Sequence, residues 1–181
     1  MAALGCALAA WHGSAATFTG TTSNPVSDWQ AGSVAVDATP AVAVISAAGA
    51  QPGSFGSGCV VIRYTGTLDA RVRMYLRPTD IGGTGLAPYL TLRVADGTGT
   101  DPSCADFAAD RTLYNPAGLT DTTKTVPGFA AASHDYATGV SDWAATPGAE
   151  RTYRIDWRLQ DDNAAATRTA DLTFTWEAQP A

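Results

Sequence analysis

Two imidazoles, three thiols and a scatter of aspartates are the groups in this chain that could do chemistry. Zinc hydrolysis of the common kind sets two histidines one helical turn apart with a glutamate between them, HExxH, so that both nitrogens meet one ion. Here His12 and His134 stand far apart, and His134-Asp135-Tyr136 offers at most one corner of a metal site. A lone histidine at a helix or loop end reads as a cap or a packed side chain, so no metal ligand is assigned. Serine chemistry lacks the GxSxG elbow, and nothing nominates a nucleophile and carboxylate to flank His134. No catalytic residue and no cofactor are expected.

The aspartates group in turns. DGTGTD (96–101), with Asp106 and Asp110 beyond it, offers oxygens at alternate positions, as a weak calcium site would. It lacks the spacing and closing glutamate of an EF-hand, so it reads as a solvated turn, as do Asp161, Asp162 and Asn163. The glycines of GSFGSG and GGTG lack the following lysine and hydroxyl of a phosphate-binding loop. A glycosidase pair requires a fixed carboxylate separation that a sequence does not display. Of the candidate sugar platforms, Trp157 and Trp176 fall on apolar faces and belong to the core, whereas Trp29 and Trp143 flank loops and are expected to be exposed.

Charge narrows the partners. The net charge is −6 and Lys124 is the only lysine, so there is no basic stripe for nucleic acid or an anionic membrane. Residues 1–11 form an apolar run of signal-core length and Gly13, Ser14, Ala15 and Ala16 supply small residues for a cut, although a basic leader is missing. The run is too short to span a bilayer as a helix, which takes ~20 residues. The expectation is a secreted protein in which residues 1–15 are a signal remnant and 16–181 form one domain, without stable membrane insertion after cleavage. Export leaves Cys59 and Cys104, which read as one disulfide, with two buried free thiols as the alternative.

The elements that must carry these residues repeat with period two. Tyr153, Ile155, Trp157 and Leu159 alternate with polar residues, and so do Leu172, Phe174 and Trp176. With the short polar connector QDDNAAAT between them, these two runs are expected to pair as an antiparallel hairpin. Val60, Ile62 and Tyr64; Val72, Met74 and Leu76; and Leu90, Leu92 and Val94 mark three more strands, ending in turns at 66–69, 78–85 and 96–99. GSVAV and AVAVIS are shorter candidates around Asp37 to Pro40, and AAGAQPGSFGSG (47–58) reads as a loop. Within VPGFAAASHDYATGV, Phe129 to Ala132 are expected to make one or two helical turns bridging the sheets. The class is all-β, a sandwich of antiparallel sheets with one short helical insertion.

Taken in order, SNPVSDWQAGSVAV, CVVIRYTGTLDARVRMYL, GLAPYLTLRV, DPSCADF, GFAAASHDYATGVSDW and LTFTWEA resemble the TasA/camelysin family of secreted proteins, over nearly all of residues 13–178. The order and spacing of these segments carry the resemblance; none is specific alone. It implies a jelly-roll-like sandwich exported by a dedicated signal peptidase. It also implies self-association into extracellular matrix fibres, in which a freed N-terminal strand of one subunit joins a sheet of the next. On this chain that role falls on Ala16, Thr17, Phe18, Thr19, Gly20, Thr21 and Thr22, an uncharged, β-prone stretch; an ordinary first strand within its own subunit is the alternative. The family also includes a cell-surface metallo-endopeptidase, but no zinc motif supports that activity here. An adhesive or carbohydrate-binding module is the third reading.

Overall fold

A computed structural model describes residues 33–39 and 51–181. The strands are β1 (Val36–Thr39), β2 (Phe55–Tyr64), β3 (Ala70–Tyr75), β4 (Ile81–Gly82), β5 (Leu90–Thr98), β6 (Ala108–Tyr114), β7 (Val140–Ala145), β8 (Glu150–Leu159), β9 (Asp171–Leu172) and β10 (Thr175–Pro180), with one α-helix, α1 (Val126–Ala132). Every pairing between strands is antiparallel. Five strands form one sheet in the order β1-β2-β8-β5-β6, three form the second as β10-β3-β7, and β4 with β9 makes a small ribbon. The two larger sheets face each other as a β-sandwich.

The period-two runs supply the core as expected. Val60, Ile62, Tyr64, Leu92, Val94 and Ile155 of the larger sheet, and Val72 and Met74 of the smaller, are all fully or almost fully buried in one cluster. At ~25 cal/mol per Å², each such side chain contributes roughly 1.5–3 kcal/mol on leaving water.

The hairpin expected between 151–159 and 172–178 does not form. β8 lies in the middle of the larger sheet, with β2 on one edge and β5 on the other, so both of its hydrogen-bonding edges are taken. β10 instead pairs with β3 in the opposite sheet. The connector carries a 3-10 turn (Asn163–Ala165), capped by the Asp162 carboxylate on the Ala164 N–H, and then β9, and it takes the chain across the sandwich. The apolar faces of the two runs still meet, but through packing: Tyr153 and Trp176 stack edge to face at 5.5 Å.

Three boundaries also move. β2 begins at Phe55, inside the stretch expected to be a loop, because Gly56 lies against the Trp157 ring at a distance where a Cβ would sit 2.9 Å from it. β5 runs on through Asp96, Gly97 and Thr98, the expected turn, because the bare Gly97 lets β6 approach: a Cβ there would be 2.0 Å from the Ala108 carbonyl oxygen. Asp37 sits within β1, paired with Arg63, and not in a connector. AVAVIS, Trp29 and Ala16 to Thr22 lie outside the described residues.

The helical expectation holds. Thr125 is the N-cap, its hydroxyl accepting from the Gly128 N–H, and Pro127 occupies the first turn, where its missing N–H costs nothing. Phe129 is fully buried, with its ring 5.1 Å from Tyr114 of β6 and 6.1 Å from Phe174 just before β10. The helix therefore does bridge the two sheets.

Candidate functional site

The two flanks of the sandwich are built differently, and the contrast defines the candidate site. On one flank β6 of the larger sheet lies beside β7 of the smaller; on the other, β1 lies beside β10.

The β6/β7 flank is closed by an ionic hub built around one buried carboxylate. Along β5 the inward positions run Leu90, Leu92, Val94 and then Asp96, so period two drives a carboxylate into the interior, where it is fully buried. Such a charge persists only if paired and hydrogen-bonded. Arg111 of β6 donates to it through Nε at 3.2 Å and Nη2 at 2.5 Å, and Arg151 of β8 lies 3.9 Å away. Arg151 in turn pairs with Asp110. From the opposite sheet the Ser141 hydroxyl donates to Asp96 at 2.9 Å. The Tyr153 hydroxyl lies 2.8 Å from Ser141 Oγ, and burial pushes its phenol well above the ordinary tyrosine value.

Ser141 reaches this position through a β-bulge. The β3–β7 register shifts between Val72 and Met74, and Ser141 adopts φ +73°, a left-handed conformation that favours glycine. Strain of that kind persists where surrounding contacts over-determine it, and the hydrogen bond to Asp96 does so here. Trp143 follows the bulge and is 7% exposed, packed in the core; its expected role as an exposed platform is corrected. Alternation along β7 turns it inward with Ser141 and Ala145.

Among the described residues the β1/β10 flank has no such closure. The β10–β3 register runs unbroken from Thr175↔Tyr75 to Pro180↔Ala70, with no bulge. Phe174, Trp176 and Ala178 pack on the core but are only partly buried, and so are Val34, Val36 and Ala38 on the facing edge. Trp176 stays on the apolar face expected of it, with an indole N–H that has no acceptor among the described residues. Among those residues the outer edge of β10 pairs with no strand.

The remaining candidates resolve individually. Cys59 and Cys104 form a disulfide with Cα atoms 5.3 Å apart, and the loop after β5 is held across the outer face of the larger sheet, with the Cys59 N–H donating to the Pro102 carbonyl. The oxygens of DGTGTD do not converge on a cation. Asp96 serves the hub, Asp110 pairs with Arg151, and the Asp106 carboxylate accepts from the N–H groups of Thr100 and Asp101, which hold it below the usual carboxylate range. The expectation of a uniformly solvated turn is thus corrected at Asp96. His134 follows α1, half exposed, with its Nε2 3.6 Å from Asp135. Among the described residues no three His, Cys, Asp or Glu side chains gather where they could hold a metal ion.

Sequence reasoning missed the hub, although its signal is present: Asp96 continues the beat of Leu90, Leu92 and Val94. No helix among the described residues is long and apolar enough to cross a membrane. A scan against protein-family models matches no family, and a search of curated proteins finds no match.

Proposed function

We propose that this protein is a secreted structural subunit of an extracellular fibre or cell-surface filament, in which residues Ala16 to Thr22 of one copy add as a strand to the next. The observation that carries the proposal is the β10 edge, which pairs with no strand among the described residues: a regular, unbulged strand whose inward side chains are only partly buried. An exposed, regular edge presents a row of free N–H and C=O groups, and proteins that avoid association disrupt such edges. ATFTGTT suits this acceptor, since it is uncharged, β-prone and carries Phe18 to fill one pocket. A head-to-tail contact of this kind does not close on itself and extends as a filament. The disulfide and the resemblance to the TasA/camelysin family agree with export.

Electron microscopy of protein beginning at Ala16, beside protein lacking residues 16–22, tests the reading. Filaments are expected only from the former. Monomers from both at concentrations well above micromolar would refute it.

A further inference from the structure

Among the described residues the smaller sheet has two edge strands, β7 and β10, and a donated strand could address either. We infer that the Asp96–Ser141 hub is an edge guard that keeps β7 from accepting a strand and so gives assembly its direction; this rests on the fibre reading above.

Three features of β7 carry the inference. The bulge at Ser141 breaks the regular spacing of main-chain donors and acceptors that an incoming strand must match. A charge points inward directly behind the edge, with Asp96 gripped by Arg111 and approached by Arg151. Sliding β7 into a flat pairing register would pull Ser141 from that buried carboxylate and leave it short of a donor. A hydroxyl bond to a charged group is among the stronger polar ties in a fold. Finally, Ser141, Trp143 and Ala145 are already buried, so an added strand would gain little apolar contact there. β10 differs in each respect: its register is continuous, its inward side chains are Trp176 and Ala178, and both are part-exposed. The guard thus also explains why Asp96 is buried where an apolar residue would pack.

The test places the photo-crosslinking residue benzoylphenylalanine at position 18 of the protein beginning at Ala16. Cross-links between isotopically distinct copies are then mapped by mass spectrometry. In the native background they are expected on 175–180 and not on 140–145. In Asp96→Asn, which keeps an acceptor oxygen but removes the charge that the Ser141 hydroxyl bonds to, cross-links to 140–145 should rise roughly tenfold. If Asp96→Asn does not fold, Ser141→Gly removes the hydroxyl while suiting the backbone. Equal β7 labelling in native and folded variant protein overturns the guard, whatever appears on β10. A native protein without inter-copy cross-links on β10 counts instead against the fibre reading, and leaves the guard to be judged on the β7 signal alone.

Discussion

Ser141 reverses the usual ranking of alanine and glycine in a strand. At an ordinary strand position Gly is less stable than Ala by ~0.5–1 kcal/mol, because more backbone freedom is lost. At φ +73° a side chain instead costs ~1–2 kcal/mol of left-handed strain, which Gly does not incur. Both Ser141→Ala and Ser141→Gly delete the 2.9 Å hydrogen bond to the Asp96 carboxylate, a loss of ~1.5–3 kcal/mol for a bond to a charged group. Ala retains the strain, whereas Gly releases it and gives part of the gain back as entropy. Ser141→Gly should therefore be more stable than Ser141→Ala by roughly 0.5–1 kcal/mol. Urea unfolding of the oxidised proteins at neutral pH measures the difference from the midpoints, provided the slopes agree. Adding Asp96→Asn to each background completes a double-mutant cycle, which should show a coupling of at least ~0.5 kcal/mol for residues in direct contact. A Ser141→Ala protein as stable as Ser141→Gly, or a cycle without coupling, would refute the account of a strained bulge held in place by the hub.

The two close-packed glycines rank differently under the same substitution. Gly56→Ala meets the edge of the Trp157 ring, which can tilt, so the cost should fall in the ~1–3 kcal/mol range of overpacking. Gly97→Ala meets the Ala108 backbone, which cannot, and should cost more; thermal unfolding of the pair reads the order. Reduction of Cys59–Cys104, separated by 45 residues, should lower stability by up to about 4 kcal/mol on chain entropy. Denaturation with and without reductant measures this, and no change would show that the loop is held by other contacts. Asp106, whose carboxyl is held below the ordinary range by backbone N–H donors, contributes stability that is complete above the unfolded Asp value of ~3.9 and is lost as pH falls through its folded value. The gap in melting temperature between native protein and Asp106→Asn should thus be widest at neutral pH and close in acid; a gap independent of pH would contradict this origin.

Period two was a sound guide to which side chains enter the core, and a poor guide to which strands are neighbours. Val72 and Met74 are buried because a strand whose other face carries Arg71 and Arg73 has no other arrangement, and that is local information. The partner of a strand is not local. The run from Arg151 to Leu159 has two main-chain edges, and β2 and β5 occupy both, which leaves none for the C-terminal run. A short polar connector suggests a hairpin, yet the fifteen residues between β8 and β10 also suffice to cross a sandwich whose sheets lie ~10 Å apart. Packing between sheets and pairing within one use the same alternation, so the pattern does not separate them. Glycine was ambiguous for a similar reason: Gly56 and Gly97 look like turn residues until the Trp157 ring and the Ala108 carbonyl are seen against them.

The flanks were legible in part, and for a physical reason. An inward aspartate cannot stand alone, so Asp96 on the beat of three buried apolar residues implies a cation or donors behind it, and Arg111 and Arg151 stand on the neighbouring strands at that level. What no pattern carries is the donor from the other sheet. Ser141 lies between Val140 and Asp142 in a run that reads as ordinary β-sequence, and only the extra residue of the bulge turns its hydroxyl toward Asp96. The openness of the opposite flank is likewise invisible locally: Phe174, Trp176 and Ala178 have the alternation of core residues, and what leaves them partly exposed is the absence of a further described strand beside β10. Closure is a property of a sheet's last strand, and being last is decided by every other strand in the fold.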